Sequence, residues 1–147
     1  MSAETKTNAM RLLDSKNAVY IMHDYSPEDA KQQPNIFKTL VTVGKTGTNY
    51  VFVVPVSREL DLKKAAKAVG EKNIEMIRER QLLPLTGYIH GGCSPLGMKK
   101  FFRTTIDKSA EDFTTIMFSG GKIGKQIETS LGELAKVIRF SIEDISK

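Results

Sequence analysis

The sequence predicts an α+β fold in which a mixed, largely antiparallel sheet curls into a partial barrel with flanking helices. Two β-rich runs, IFKTLVTV and YVFVVPV, are separated by GKTGTN, which is typical of a hairpin connection. Further strand-like runs come in groups with helices inserted between them, as in α+β proteins. With 147 residues and no linker or repeat, the chain fits a single domain, residues 1–147.

The N-terminal part of the chain carries local signals for two helices and a strand. Met10, Leu12 and Leu13 have helical spacing, and the run AVYIMHDY that follows favours a strand. Ser26 is a good N-cap residue and Pro27 suits the first helical position, so we expect a short helix at the start of SPEDAKQQPN.

Two helices and a strand are predicted further along the chain. In LDLKKAAKAVG, Asp61 is a candidate N-cap and Gly70 a stop signal for a helix with one apolar face. The run TTIMFSGG favours a strand. Ser130 and Glu133 form a capping box, which predicts a short helix through Lys136.

Charge and composition limit the classes of function. The net charge of +5 and the isoelectric point near 9.3 favour a polyanionic partner, such as a nucleic acid or nucleotide, or simply reflect solubility. No apolar run approaches the roughly 20 residues that cross a membrane, and the polar start lacks the apolar core of a secretory signal. A single cysteine excludes an internal disulfide. We therefore expect a cytoplasmic protein without membrane association.

The spacing of histidine and cysteine argues against a metal centre. His23, His90 and Cys93 are the only imidazole and thiol groups, and they match no zinc-binding spacing. Neither VGKTG nor SGGKIGK completes a P-loop. We therefore predict no metal and no cofactor. Because His90 lies three residues before Cys93, a Cys–His nucleophile stays open beside a small apolar core role for Cys93.

A lysine interrupts the first strand of the predicted hairpin. The two-residue period of a strand puts Ile36, Lys38 and Leu40 on one face, so the Lys38 ammonium has aliphatic neighbours. Its aliphatic stem could pass the strand edge and leave the charge in water. A partly desolvated ammonium could instead bind a phosphate.

A basic and aromatic segment, MKKFFR, allows two interpretations. Lys99, Lys100 and Arg103 could contact phosphates while Phe101 or Phe102 stacks on a base. A strand with a solvated basic face and a buried phenylalanine would have the same sequence. We predict the three cations as nucleic-acid-binding residues and keep both interpretations.

The stretch GYIHGGCSPLG, residues 87–97, contains four glycines, one proline and the only cysteine. A connecting turn needs only one or two glycines, because each costs about 0.5–1 kcal/mol of chain entropy relative to alanine. Either the backbone contacts a ligand here, or Cys93 is chemically active.

Several of these segments together resemble the YbaK family, the free-standing relatives of the editing domain of bacterial prolyl-tRNA synthetase. FKTL, LDLKKAAKAVG with IEM soon after, TGYIHGGCSPLG and SGGKIG occur in the family's order and spacing, from about Tyr25 onward. The resemblance implies an α+β fold, an aminoacyl-tRNA substrate and hydrolytic removal of a wrong amino acid, typically cysteine from the tRNA for proline. It also implies an aminoacyl-tRNA synthetase, the prolyl enzyme, as a partner.

The resemblance implies catalytic roles for Lys38, Gly91 and Gly92. The glycine amides would hold the ester carbonyl, where each oxyanion donor contributes about 3–4 kcal/mol, while Lys38 binds the 3′-terminal phosphate or ribose. The nucleophile would be the substrate's own thiol or a water, which makes Cys93 a spectator. The substrate-binding residues implied by the family are Tyr25, Phe37, Thr39, Ser94, Pro95, Gly120 and Gly121.

Two features depart from the family pattern. The segment between Tyr25 and Phe37 is short, whereas many relatives carry a longer helical insertion that helps to wall the pocket. Ile123 and Gln126 stand where relatives commonly have arginine and aspartate. If such changes removed catalysis, the chain would be a binding module for a tRNA 3′ end, a nucleotide or a small amino acid, which is the alternative hypothesis.

Overall fold

The computed structural model describes residues 6–147 as two β-sheets packed with short helices. In this part of the chain the five α-helices are α1 (Asn8–Ser15), α2 (Pro27–Lys31), α3 (Leu62–Val69), α4 (Glu79–Thr86) and α5 (Leu131–Leu134). The eight strands are β1 (Ile21–Asp24), β2 (Phe37–Gly44), β3 (Asn49–Pro55), β4 (Ile74–Met76), β5 (Arg103–Asp107), β6 (Ile116–Ser119), β7 (Lys125–Thr129) and β8 (Ser141–Glu143). A 3₁₀-helix, Lys108–Asp112, follows β5. No helix in the described chain has the length and apolar character needed to cross a membrane.

The larger sheet is mixed and has the strand order β4-β2-β3-β5-β8. β2 and β3 form the predicted hairpin, which is antiparallel from Phe37 opposite Pro55 to Val43 opposite Asn49. β4 adds to β2 in antiparallel orientation, while β5 and β8 extend the sheet in parallel orientation. The smaller sheet, β1-β7-β6, is antiparallel. The predicted α+β class with mixed, largely antiparallel pairing is confirmed.

The two sheets meet at the start of β2. An isolated bridge joins Ile36 to Met117 of β6, and the Met117 amide donates to the Asn35 carbonyl at 2.9 Å. This junction continues one edge of β2 into the smaller sheet. The described strands do not close into a barrel.

Side chains cover both faces of the larger sheet. Val51 and Val53 of β3 belong to a hydrophobic cluster that includes residues of α1 and α4. Tyr50, Phe52 and Val54 point the other way, into a second cluster under α3. A strand that is buried on both faces has a continuous apolar sequence rather than an alternating one, which explains the run YVFVVPV.

Two helices start and stop where the sequence predicts. Ser26 Oγ accepts a hydrogen bond from the Asp29 amide at 3.1 Å and caps α2. Asp61 Oδ1 accepts from two amides in the first turn of α3, both at 3.0 Å. Gly70 ends α3 with a φ of 76°, a left-handed conformation that glycine adopts without strain.

The last helix, α5, is shorter than predicted and ends at Leu134 rather than Lys136. Ser130 Oγ accepts from the Glu133 amide at 3.1 Å, as a capping box requires. The Glu133 carboxylate, however, accepts from the amide of Val19 at 2.8 Å. A contact with the segment before β1 has therefore replaced the second half of the box.

One edge of β2 is open in its middle. β4 pairs with residues 42–44, and the Ile77 amide extends this contact by donating to the Val41 carbonyl at 3.3 Å. The bridge to β6 lies at the other end, at Ile36. Because alternate residues of an antiparallel strand direct their main-chain groups to the same edge, the amide and carbonyl of Thr39 face the gap between the two neighbours.

Asp107, at the end of β5, carries a hydrogen-bonded carboxylate whose contribution to stability can be measured. Its carboxylate accepts from the Ser109 amide at 3.2 Å, the Ser109 hydroxyl at 2.5 Å and the Ile145 amide at 3.0 Å. Burial raises the pKa of Asp107, but these hydrogen bonds outweigh it and leave the pKa below its ordinary value. Asp107→Asn should lower the free energy of unfolding by about 2 kcal/mol at pH 7.

The ionised carboxylate stabilises the fold above its unfolded pKa of about 3.9, and this contribution is lost as the pH falls through the lower folded pKa. The difference between Asp107→Asn and the wild type should therefore shrink below about pH 4. Urea unfolding at pH 7 and pH 3 measures both effects, with the exposed Asp112→Asn as control. An Asp107→Asn variant as stable as the wild type at pH 7 would contradict this account.

Candidate functional site

A cavity of about 400 Å³ lies at the open edge of β2. Its walls come from α2, β2, the β4–α4 connection, the glycine-rich loop after α4, and the facing ends of β6 and β7. Representative lining residues are Ala30, Thr39, Leu82, Gly91 and Gln126. The wall is mostly apolar with a few polar groups, which is the usual character of a small-ligand site.

Two buried oxygens in this cavity lack hydrogen-bond partners. Thr39 Oγ1 and Gln126 Oε1 are the buried side-chain polar atoms that remain unpaired in the described chain, and both residues line the same cavity. Buried polar atoms in folded proteins are almost always paired, because each unpaired one costs about 1–3 kcal/mol. Two such atoms in one cavity are available to accept hydrogen bonds from a polar group of a ligand.

Lys38 also lines the cavity, although it and Thr39 belong to opposite faces of β2. Phe37 and Val41 share the Thr39 face and pack in the first hydrophobic cluster, whereas Leu40 packs against the second cluster. Both faces reach one cavity because the strand edge between them is uncovered. The gap in β2 therefore lets Lys38 and Thr39 line the same cavity.

Positive charge predominates at the cavity. Lys31, Lys38 and Arg78 line it, and Glu79 is the only carboxylate among the lining residues of the described chain. The ion pairs present in residues 6–147 involve none of these four side chains. Cations without partners beside an apolar pocket favour an anionic ligand such as a phosphate.

The glycine-rich loop reaches the cavity through a tight turn. The Gly92 amide donates to the Ile89 carbonyl at 3.0 Å, and Gly91 has a φ of 88°. This geometry is that of a type II turn, which requires glycine at its third position. The Gly92 amide is thereby used within the loop, whereas the amides of Gly91 and Cys93 have no acceptor among the described residues.

Close packing holds the glycine-rich loop against residues 120–124. A Cβ atom at Gly92 would lie 3.2 Å from the Ile123 nitrogen and 3.3 Å from the Lys122 Cα. Tyr88 fixes the other end of the loop by donating its hydroxyl to the Leu96 carbonyl at 2.5 Å. Glycine at 92 thus lets the two loops approach.

The Cys93 thiol lines the cavity but is poorly suited to nucleophilic attack. Burial in the first hydrophobic cluster raises the pKa of Cys93 to about 11, so that little thiolate exists near neutral pH. Its sulfur lies 4.0 Å from the Ser94 carbonyl, and no imidazole in the described chain is hydrogen-bonded to it. This environment favours the apolar core role over a Cys–His nucleophile.

The comparison with known protein families identifies the class of this site. The family model of the aminoacyl-tRNA editing domain matches residues 24–137, a range that contains every segment lining the cavity. The chain belongs to the aminoacyl-tRNA editing domain family. The editing domain is thus a deacylase that acts on aminoacyl-tRNA, as the resemblance to the YbaK family implied.

Individual relatives agree with this membership. EbsC of Enterococcus faecalis (strain ATCC 700802 / V583), assigned as a Cys-tRNA(Pro)/Cys-tRNA(Cys) deacylase, is 43% identical over 137 residues, and the match covers 85% of this chain and 84% of EbsC. The crystal structure of hypothetical protein APE2540 has a TM-score of 0.86 at 18% identity, covering 96% of this chain and 100% of that chain. A crystal structure described as a trans-editing enzyme for prolyl-tRNA synthetase has a TM-score of 0.82 at 22% identity and covers 95% of each chain. The two structures establish the fold.

The editing domain places some of the predicted site residues in the cavity and others behind it. Those that line it are Phe37, Lys38, Thr39 and Gly91. Those outside its lining are Tyr25, Gly92, Ser94, Pro95, Lys99, Lys100, Arg103, Gly120 and Gly121. Several of the second group support the wall from outside the cavity, and their contact with substrate stays a prediction.

Tyr25 and Ser94 show how this support works. Tyr25 packs against Ala30 and Ile36, which both line the cavity. The Ser94 hydroxyl accepts from the Leu96 amide at 3.2 Å and so shapes the glycine-rich loop. Gly121 lies against Tyr88, where a Cβ atom would come within 2.9 Å of the ring.

The three cations of MKKFFR are held by other parts of the fold. Lys99 Nζ donates to the Pro84 carbonyl at 3.3 Å, and Arg103 donates to the carbonyl of Val69 at 3.4 Å, where α3 ends. The Lys100 ammonium lies 5.6 Å from the centre of the Phe102 ring. These contacts stabilise helix ends and a buried ring. They favour the interpretation of MKKFFR as a structural segment over that of a nucleic-acid-binding segment.

Sequence reasoning did not predict Gln126 or the α2 wall as parts of the site. Pro27, Ala30 and Lys31 of α2 line the cavity, so the short segment before β2 still provides a wall. Gln126 was visible only as a departure from the family pattern. Its position in β7 marks it as a polar residue of an amphipathic strand, and no sequence signal shows that it lines the same cavity as Thr39.

Alkylation of Cys93 tests whether its thiol is activated as a nucleophile. Because the pKa of Cys93 is about 11, its reaction with iodoacetamide at pH 7.5 should be far slower in the folded protein than in urea, and should rise with pH without a plateau below pH 10. Mass spectrometry follows the modification at this one site. Rapid labelling at pH 7.5, with a plateau near neutrality, would instead indicate an activated thiol.

Proposed function

We propose that this editing domain removes cysteine from mischarged tRNA, chiefly from the tRNA for proline. The observation that carries the proposal is one cavity with three kinds of group in its lining. These are Lys38, which forms no ion pair within residues 6–147, two buried oxygens without a partner in that range, and a glycine turn in which the Gly91 amide has no acceptor there. The 43% identity to a relative assigned as a Cys-tRNA(Pro)/Cys-tRNA(Cys) deacylase supports the choice of cysteine.

The unpaired oxygens are proposed to bind the ammonium group of the aminoacyl ester. Thr39 Oγ1 and Gln126 Oε1 both accept hydrogen bonds, as does the Thr39 carbonyl at the open edge of β2. An ammonium group has three N–H donors and so can satisfy several such acceptors at once. The apolar wall, which includes Phe37 and Leu82, then surrounds a small side chain such as that of cysteine.

Lys38 is proposed to bind the terminal phosphate or ribose of the tRNA. It lines the apolar cavity and forms no ion pair within the described residues, and an ammonium group is a compact point charge suited to a phosphate. Lys31 and Arg78 add positive charge on the same cavity lining. The terminal nucleotide would then be held while its ester points into the cavity.

The glycine turn is proposed to stabilise the oxyanion of the ester. The Gly91 amide, and not the engaged amide of Gly92, has a free N–H at the cavity, and the Cys93 amide is a second candidate. Each such donor contributes about 3–4 kcal/mol to acyl transfer. This assignment revises the expectation that the Gly91 and Gly92 amides act together.

The nucleophile is proposed to be a water molecule or the substrate's own thiol. When water attacks, its oxygen forms a bond to the ester carbonyl carbon, and the bond from that carbon to the ribose oxygen breaks. The ribose oxygen takes up a proton, which leaves free cysteine and the tRNA hydroxyl. When the substrate's thiol attacks, its sulfur bonds to the carbonyl carbon while the same carbon–oxygen bond to the ribose breaks, and the thiol proton passes to the ribose oxygen. The resulting cyclic thioester is then hydrolysed by water to free cysteine. Neither route needs the Cys93 thiol, a metal or a cofactor.

We further propose the cellular setting of this activity. Residues 1–147 act as one editing unit in the cytoplasm, where charged tRNA is found, and a prolyl-tRNA synthetase is the candidate partner. A site of this size recognises the acylated end of the tRNA, so a synthetase could supply selectivity for the body of the tRNA.

Single-turnover deacylation of Cys-tRNA(Pro), Cys-tRNA(Cys) and Ala-tRNA(Pro) tests the proposal. We expect fastest cleavage of the cysteinyl substrates and a loss of about 100-fold in Lys38→Ala, because a charged contact to phosphate contributes roughly 1.5–3 kcal/mol. The matched control is Lys45→Ala, an exposed cation in the β2–β3 turn. Tight binding with no cleavage above the spontaneous rate would leave only the binding module.

Thr39→Val separates the functional from the structural role of the unpaired hydroxyl. Removing a buried hydroxyl without a partner should raise the free energy of unfolding by about 1 kcal/mol, while deacylation falls because an acceptor is lost. Thr42→Val on the same strand is the control. Its hydroxyl donates to the Tyr50 carbonyl at 2.9 Å, so this variant should be destabilised and remain active.

Urea unfolding and single-turnover assays measure the two quantities. If Thr39→Val is destabilised as much as Thr42→Val, or if Thr39→Val retains full activity, the Thr39 hydroxyl does not have the proposed role.

A further inference from the structure

A second cavity, of about 630 Å³, lies beside the first. Val41 lines the first cavity and Val43 the second, and Ile77 lines both. Residues two apart on a strand share one face, so the cavities are neighbours along the same face of β2. Ile77 is the residue at which the two cavities adjoin.

The chemistry of the second cavity suits a nucleotide. Val43, Pro84 and Leu85 supply apolar surface, and the polar lining groups are Arg80, Asn49 and Gln81. Within the described chain, no carboxylate lines this cavity, and the exposed Arg80 side chain takes part in no ion pair or hydrogen bond.

Both amides retain hydrogen-bonding capacity for a ligand. Asn49 Nδ2 donates to the Thr42 carbonyl at 3.0 Å, which leaves Asn49 Oδ1 free to accept. Gln81 Oε1 accepts from the Arg78 amide at 2.8 Å, which leaves Gln81 Nε2 free to donate. One acceptor and one donor beside an apolar wall match the edge of a nucleobase, and a guanidinium can stack on a base or bind its phosphate.

We propose that the second cavity binds the unpaired nucleotide that precedes the acylated adenosine of the tRNA, with Arg80 as its cationic contact. This inference rests on the proposed function, because the first cavity must hold the esterified end. The 3′ end of a tRNA is single-stranded, and single-stranded RNA is recognised through unstacked bases and phosphates. Arg78 at the first cavity and Arg80 at the second are two residues apart, so they provide cations at successive positions along the RNA chain.

The test compares two substrates that differ only in the nucleotides before the ester. One is a cysteinylated acceptor-stem microhelix with its unpaired 3′ end, and the other is cysteinyl-adenosine. Arg80→Ala should lower kcat/KM for the microhelix about tenfold, mainly through KM, and leave the rate with cysteinyl-adenosine unchanged. The slope of log KM against log salt for the microhelix should fall by about 1.

Two further variants sharpen this comparison. Arg80→Lys should keep the salt dependence, because the charge remains, while part of the affinity is lost with the planar group. Lys67→Ala is the matched control, since Lys67 is an exposed cation on α3, which packs on the opposite face of the larger sheet. It should leave both substrates unaffected.

The outcomes separate this inference from the proposed function. Equal effects of Arg80→Ala on both substrates, or none on either, would overturn the second site while leaving the deacylase intact. If the wild type hydrolyses neither substrate, the proposed function fails. Fluorescence anisotropy of a labelled uncharged microhelix then tests RNA binding at the second cavity by itself. An affinity that is unchanged in Arg80→Ala would overturn the second site. A change of sedimentation in Arg80→Ala without a change in RNA affinity would assign this surface to a second copy of the chain and likewise overturn the proposal.

Discussion

The site depends on the interruption of pairing along one edge of β2. β4 ends at one side of the gap and the bridge to β6 lies at the other, so the Thr39 amide and carbonyl have no neighbouring strand on the edge opposite β3. Buried main-chain groups are normally paired, so such a gap is stable only where it meets a cavity, a ligand or water. It also lets side chains from both faces of one strand, Lys38 and Thr39, reach a single cavity. A fully paired strand would separate them.

The unpaired polar groups at this gap lower the stability of the free protein. The unpaired oxygens of Thr39 and Gln126 are unfavourable in the free protein, and a ligand that donates hydrogen bonds relieves that cost. Burial of both faces of β3 and the hydrogen bonds to the Asp107 carboxylate stabilise the rest of the molecule and offset this cost. If these oxygens bind the substrate as proposed, part of the cost of desolvating the acceptors is met during folding.

The two glycine loops explain why so little side-chain chemistry is visible at the site. Gly91 provides the left-handed turn, and Gly92 allows contact with the loop around Lys122. Together they present main-chain amides where a side-chain nucleophile would otherwise be expected. Cys93 is fixed in the same turn, but its burial keeps it protonated. An activated ester needs orientation and charge stabilisation more than it needs a protein nucleophile, and the role proposed for the glycine turn is to supply both.

The sequence by itself determined the elements whose signals are local. The β2–β3 hairpin, the caps at Ser26 and Asp61 and the family motifs were readable because the interacting residues lie a few positions apart or occur in a fixed order. Only the tertiary structure decided that Gln126 lies in the same cavity as Thr39 and that the Glu133 carboxylate pairs with Val19 instead of its own helix. In each case the two residues lie about a hundred positions apart in the sequence. They depend on how the two sheets meet, and no local preference of the chain encodes that geometry.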